Sequence, residues 1–546
     1  MAGPHAGLAD MTDTAVRPKG TRGVARGGLA NMAGSALAGG TGVVVTWIVA
    51  RTLGAEPAGA FFAATAAFVL AGGVAKLGTQ TGLVYWPARL RATGQDHLLG
   101  ACLRTGLTPV LILSGALAVG MWLAAPAIAG LTASGAPDVV ADHTAGLRVL
   151  AVFLPLQALT DALLTATRGY RAMRPTVMLD RVLRSALQLL LVGAAGVSAL
   201  WMAAALPVFA LAWAAPYLPV TILAGFALRR TYRQGRVAVP ASDAWSFGRR
   251  GEAEENSKRR SRRAERRALR RDFWRFTGPR ALASVAQLAL QRVDVLLVAA
   301  LSGLAPAAVY AVAGRFVVLI QFANQGISQS VQPRLAEALS TGDRATANHL
   351  YQTATGWLVL VTWPINLLVI LFAPVYLGLF GDAYVSGVPV VVVLASAMLV
   401  ATGCGMVDMV LAMAGRTSWN LINVLIALAV TIGLDLLLIP AYGALGAALG
   451  LAGALVVNNL LPLIQVGRAA RLHPFGPGTC AAALLSVTCF GVLPWIVTTM
   501  TGTGAAGLSL ALATAVPAFG FGAWLLRDRL ALTAFTGNPT IPRRTA

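Results

Sequence analysis

Residues 278–333 read GPRALASVAQLALQRVDVLLVAALSGLAPAAVYAVAGRFVVLIQFANQGISQSVQP. Two long apolar runs are joined here by a short turn, LSGLAPAAVY (301–310). Each run is long enough to cross the hydrocarbon core of a bilayer, which takes about 20 residues of helix. The first run nevertheless carries Gln287, Gln291, Arg292 and Asp294. The second carries Arg315, Gln321, Asn324, Gln325 and Gln329, and its pattern predicts a stop at Pro333. A charged side chain at mid-depth costs roughly 2.5–3.5 kcal/mol on insertion scales, so such residues face a bundle interior or a water-filled cavity. The hairpin is therefore expected to form one wall of a polar internal chamber.

The rest of the chain is built from the same material. Its 546 residues are 57% hydrophobic and 12% charged, with a mean hydropathy of +0.70. A soluble domain carries roughly 25% charged residues, which excludes that class. The apolar runs do not alternate as membrane strands do. The expected fold is all-α and polytopic, with about fourteen spans: 29–50, 59–78, 106–125, 145–167, 178–198, 203–228, 278–300, 306–331, 354–375, 386–413, 418–440, 443–466, 478–499 and 504–526. Arginines gather in alternate loops, the pattern that marks the cytoplasmic side. Both termini are thus expected there, in a bacterial plasma membrane.

The expected organisation is a tail over 1–28, a first lobe over 29–228, a basic cytoplasmic loop over 229–277 and a second lobe over 278–466. A helix pair over 478–526 and a tail over 527–546 follow. No cleavable signal peptide is expected, because the first apolar run is too long for one. About half of the net charge of +22 falls in 229–275, which includes SKRRSRRAERRALRRDFWRF. That run reads as a topology determinant resting on anionic membrane lipids. Recruitment of a cytoplasmic partner is the alternative, and the absence of an aromatic platform argues against nucleic acid.

Cys102, Cys404, Cys480 and Cys489 lie in or beside apolar runs without CxxC spacing, so neither a disulfide framework nor a metal site is expected. The five histidines pair with no nucleophile, and there is no GxxxxGK[ST] phosphate loop. The chain reads as a non-enzyme without a cofactor that does not hydrolyse ATP.

An internal repeat emerges on alignment. GAEPAGAFFAATAAFVL (54–70) matches GLAPAAVYAVAGRFVVL (303–319) without gaps, pairing Gly54 with Gly303, Pro57 with Pro306 and Phe61 with Tyr310. Pro87 and Arg89 then fall against Pro333 and Arg334, each followed by a turn at Gly94–Asp96 or Gly342–Asp343. Parallel repeats of this kind surround a binding site on an axis along the membrane normal.

RTLGAEPAGAFFAATAAFVL (51–70), KLGTQTGLVYWPARLRATG (76–94) and RVDVLLVAALSGLAPAAVYAVAGRFV (292–317) resemble polysaccharide flippases of the Wzx type. So do QPRLAEALSTGD (332–343), LFGDAYVSG (379–387), LAMAGRTSWN (411–420) and IPAYGALGAALG (439–450). These flippases belong to the multidrug/oligosaccharidyl-lipid/polysaccharide (MOP) exporter superfamily, with lipid II flippases and MATE drug exporters. The resemblance spans roughly 29–475. It implies two six-helix lobes, alternating access, a cationic central cavity and a lipid-linked oligosaccharide as substrate. A polysaccharide polymerase or glycosyltransferase would be the implied partner. The first span, LANMAGSALAGGTGVVVTWIVA, lacks the arginines that lipid II flippases carry there.

Two readings compete at the hairpin. Arg292 and Arg315 line a cavity and attract a pyrophosphate, with Asp294 tuning or releasing them, or Asp294 and Arg315 form a structural ion pair. Residues two apart on a helix point to different sides, so Arg292 and Asp294 are not expected on one wall. Lys76 reads as snorkelling to the interface, with cavity lining as the alternative. Gln321, Asn324, Gln325 and Gln329 form a stripe suited to sugars or to neighbouring helices. Asp161, Asp408 and Asp435 are candidate ion-coupling carboxylates, each also explained by a buried interhelical bond. A MATE-like exporter of cations would want unpaired acids in its cavity, not arginines.

Overall fold

The computed structural model describes residues 21–132, 137–170, 172–203, 205–236 and 252–532. Most of the first tail, part of the basic loop (237–251) and most of the last tail (533–546) lie outside the described residues. The described chain is helical almost throughout. The first six membrane helices are α1 (Gly34–Leu53), α2 (Ala55–Ala92), α3 (Asp96–Thr132), α4 (Pro137–Gly169), α5 (Thr176–Arg184 continuing as Ser185–Ser198) and α6 (Leu206–Gln234). The next six are α7 (Glu252–Leu290 and Val293–Leu301), α8 (Leu304–Ser340), α9 (Arg344–Leu371), α10 (Asp382–Met413), α11 (Thr417–Tyr442) and α12 (Ala444–Ala470). A final pair is α13 (Pro477–Thr501) and α14 (Ala505–Leu525).

Twelve of these helices are long and apolar enough to cross a membrane, and the bent α7 makes thirteen. The expected span 178–198 falls on α5, a continuous helix whose first half carries Asp180, Arg181 and Arg184. It packs against α1 and α6 rather than presenting those charges to lipid.

The two sets of six share one neighbour scheme. α1 packs on α5, α3 on α4, and α4 on α6; correspondingly α7 packs on α11, α9 on α10, and α10 on α12. The aligned glycines agree in conformation as well. Gly54 and Gly303 open α2 and α8 at φ 78° and 97°, and Gly94 and Gly342 follow those helices at φ 68° and 75°. These are left-handed turns that favour glycine. Pro87 and Pro333 both sit inside their helices, so α8 does not stop at Pro333 but runs on to Ser340. Two pseudo-symmetric lobes result, with α13 laid along α9, where Thr479 Oγ1 donates to the Gln352 carbonyl at 3.1 Å.

The ends of the bundle differ. At the short-loop end the lobes share one apolar core from α1, α2, α4, α8 and α10. Trp47 Nε1 donates to the Leu379 carbonyl at 2.8 Å, and Tyr384 Oη to the Ala50 carbonyl at 3.4 Å. The end bearing the arginine-rich loops is joined more sparsely. There α1 meets α8 where Phe322 lies on Gly39. The extension of α7 crosses to the first lobe, burying Leu269 and Phe273 among Leu90, Leu99 and Cys102 and stacking Phe276 on Tyr85 at 4.4 Å.

Candidate functional site

Both helices of the 278–333 hairpin are broken at their arginines. In α7 the ladder stops at Leu290, and the two segments are bent by 49°, with Arg292 as the N-cap of Val293–Leu301. In α8 the break falls at Gly314–Arg315, between Leu304–Ala313 and Phe316–Ser340. A broken helix inside a membrane is tolerated where it lines a cavity or is buried in protein. Here both breaks face the space between the lobes.

That space is a cavity of about 190 Å³ lined by Thr41 and Thr46 of α1, Phe62 and Thr65 of α2, Arg184 and Gln188 of α5, and Trp213 of α6. The second lobe closes it with Arg292 and Arg315. A second cavity of about 250 Å³ lies within the second lobe and is lined by Gln287, Gln291, Asp294, Tyr310, Gln321 and Asn458. It shares Arg292 and Arg315 with the first, so the two guanidiniums stand where the cavities meet.

The three arginines are held differently. Arg184 Nε donates to Asp180 Oδ1 at 2.7 Å, its Nη1 donates to Gln188 Oε1 at 2.9 Å, and its Cζ lies 5.3 Å from the Tyr217 ring centroid. Arg315 reaches across to the first lobe, with Cζ 5.6 Å from the Phe62 ring centroid. Neither Arg292 nor Arg315 forms an ion pair among the described residues, and the buried Nε of each lacks a hydrogen-bond partner. Buried charges are ordinarily paired, and an unpaired one is strongly unfavourable. An anion entering this cavity would meet two uncommitted guanidiniums and a third already braced.

Three expectations are corrected here. Asp294 does not pair with Arg315: Tyr310 Oη donates to Asp294 Oδ2 instead. The helix break also lets Arg292 and Asp294 line the same second-lobe cavity, which regular helical spacing forbids. Lys76 does not snorkel. It lies in the break of α2 (76–78), and its Nζ donates to Asp161 Oδ2 on α4 at 2.7 Å, with the side chains 15% and 28% exposed. Asp161 is thereby neutralised. Removing one partner of this part-buried pair leaves the other charge uncompensated, so Lys76→Ala should lower the detergent-solubilised melting temperature. Lys76→Ala with Asp161→Ala should recover much of the loss, as read by the same thermal melt.

The remaining candidates scatter. Asp435 of α11 is buried with both carboxyl oxygens unpartnered, on a helix packed against the α7 segment that holds Asp294. Asp408 is exposed on the last turns of α10 and is not brought near the arginines; its carbonyl accepts from Asn420 Nδ2 at 2.9 Å. Gln321, Asn324, Gln325 and Gln329 are all exposed on α8, and Gln321 lines the second-lobe cavity. Asn423 and Gln465 bond each other at 2.8 and 2.9 Å, a packing role. Sequence reasoning missed Arg184, Asp180 and Gln188, although three charges in the first turns of an apolar run were a visible signal.

The MatE family model matches residues 279–441, the stretch holding both helix breaks. Among solved structures, the lipid II flippase MurJ in an inward closed conformation is similar at TM-score 0.66 and 13% identity, over 92% of this chain and 99% of that one. The fold is that of the MOP-superfamily transporters. A multidrug resistance MATE family transporter of that superfamily, in its inward-facing conformation, matches at TM-score 0.61 and 15% identity, over 81% of this chain and 94% of its own. A MOP superfamily transporter from Pyrococcus furiosus, described for the reverse polarity of its binding pocket, matches at TM-score 0.52 and 17% identity, over 82% and 95%. No curated protein matches the chain. The chain is a multi-pass membrane protein.

Proposed function

We propose that the chain is a flippase that carries an undecaprenyl-pyrophosphate-linked oligosaccharide across a bacterial plasma membrane by alternating access. One observation carries this reading: Arg184, Arg292 and Arg315 converge on a single interlobe cavity, and two of them hold no counter-ion. Guanidinium groups bind phosphate oxygens through charge-assisted, frequently bidentate hydrogen bonds. The pyrophosphate would occupy the cavity while the polyprenyl tail stays in lipid. At about 190 Å³ the cavity is smaller than the 300–1,000 Å³ of ordinary ligand sites, so the lobes would have to part to admit the headgroup. Parting Phe322 from Gly39 would open it toward the arginine-rich loops, which the charge rule puts in the cytoplasm together with both termini.

The 229–275 segment fits the same orientation, with Arg260, Arg263, Arg267 and Arg271 exposed along one face of α7 for anionic lipid or a cytoplasmic assembly partner such as a glycosyltransferase or polymerase. Coupling falls to the second lobe. Asp294 and Asp435, on packed helices, supply two carboxylates for a proton or sodium ion beside the shared arginines. Asp435→Asn should remove stimulation by an imposed ion gradient in proteoliposomes while leaving the fold intact; unchanged stimulation would discard that carboxylate as the coupling group.

The lipid II reading is favoured by the match to a lipid II flippase over 92% of this chain. The α1 wall contributes threonines rather than arginines, which favours a different headgroup. A cation exporter is disfavoured by the cavity's sign. The cellular test is Arg315→Ala at normal protein level: surface polysaccharide should disappear, and unchanged output would overturn the reading.

A further inference from the structure

A second arginine environment, which shares no lining residue with the central cavity, lies on the flank of the first lobe. α3, α4 and α6 enclose an open apolar groove of about 730 Å³, walled by Trp122, Ala145, Val149, Val152, Phe153 and Leu211. Arg148 stands in it with Cζ 5.6 Å from the Trp122 ring centroid, and its buried Nε has no hydrogen-bond partner. No described carboxylate pairs with it. Asp138 and Asp142 are exposed toward the start of α4, and the neighbouring His143 is turned inward, where its Nδ1 shares a hydrogen bond with Thr132 Oγ1 at 3.1 Å.

Depth decides what can fill the groove. Arg148 lies eleven residues into α4 (Pro137–Gly169) and Trp122 ten residues before the end of α3 (Asp96–Thr132). At about 1.5 Å per residue both are roughly 15–17 Å from the helix ends. A 33-residue helix is about 50 Å long and overhangs a 30 Å hydrocarbon core by about 10 Å at each end. The pair therefore sits a few ångströms inside the core at the short-loop side, where tryptophans gather and long basic stems reach back to the headgroups. The anion within reach of a guanidinium that extends from that depth to the headgroups is a lipid phosphate. The apolar walls below it suit an acyl chain.

We propose that this groove is a binding site for one anionic phospholipid, its phosphate on Arg148 beside Trp122 and an acyl chain along Val149, Val152, Phe153 and Leu211. The site is independent of the interlobe arginines and of the cargo they carry. Native mass spectrometry of the purified full chain, titrated with phosphatidylglycerol or phosphatidylcholine, tests it. The wild type should retain one phosphatidylglycerol about tenfold more tightly than phosphatidylcholine, and Arg148→Ala should lose that preference. Arg148→Lys, which keeps the charge but not the fork, should retain part of it. Ala145→Trp keeps the guanidinium and fills the groove, and it should lose the lipid too. Retention of phosphatidylglycerol by Arg148→Ala or Ala145→Trp at the wild-type level would overturn the proposal. So would displacement of the lipid by inorganic phosphate, which would mark a site for free anions.

Discussion

Replacing Arg292 and Arg315 together with alanine is expected to abolish transport while leaving the melting temperature unchanged or raised. Each hydrogen bond to a charged group contributes about 1.5–3 kcal/mol. That corresponds to roughly 10- to 150-fold per arginine in substrate affinity, since about 1.4 kcal/mol is tenfold. The stability half of the expectation comes from the absence of partners. Asp294 is occupied by Tyr310, so neither substitution strands a carboxylate. Arg315→Ala gives up only its stacking on Phe62. Lysine at either position should recover a minor part of the activity, because a point charge cannot grip two phosphate oxygens at once. A structural arginine would behave in the opposite manner, with a large drop in melting temperature and activity that merely follows the amount of folded protein.

Gly59→Val is expected to prevent closure at the short-loop end. A Cβ at Gly59 would lie 1.8 Å from the carbonyl oxygen of Leu304, a backbone atom that cannot swing aside. α2 and α8 would have to separate along the shared apolar core, and overpacking of this kind costs about 1–3 kcal/mol. The contrast with Gly39 is informative. A Cβ there would meet the ring edge of Phe322 at 2.0 Å, the end of a side chain that can rotate away, so Gly39→Ala should be far milder. Spin labels at exposed Arg51 and Ala383, with Cys480 replaced, would report the distance across the short-loop end. Gly59→Val should lengthen and broaden it; a distribution identical to the wild type would contradict the closure described here.

Much of the architecture was legible because the bilayer leaves few choices. Apolar runs of about 20 residues and alternating arginine loops predict the helices, and the ungapped match of 54–70 to 303–319 predicts the repeated lobes that the φ values of Gly54 and Gly303 bear out. The errors share one cause: straight helices were assumed. A regular helix turns Arg292 and Asp294 apart, and the break after Leu290 brings them to one cavity wall. A regular α2 carries Lys76 down to the interface, and the break over 76–78 points it at Asp161, 85 residues further on. Helix breaks depend on tertiary packing, and the glycines at two of them, Gly78 and Gly314, look no different in sequence from Gly72 and Gly73 inside an unbroken stretch. Arg184 drew no reading from the sequence, yet α5 packs on α1 and α6 and turns it into the cavity.

The central claim is that the interlobe arginines hold an anionic lipid head. Purified protein in liposomes, offered a fluorescent short-chain polyprenyl-pyrophosphate saccharide and a neutral glycolipid bearing the same sugar, tests it most directly. The wild type should flip the pyrophosphate lipid and leave the neutral one behind, and the Arg292→Ala, Arg315→Ala protein should flip neither. Equal movement of both lipids, or undiminished flipping by the double variant, would contradict it.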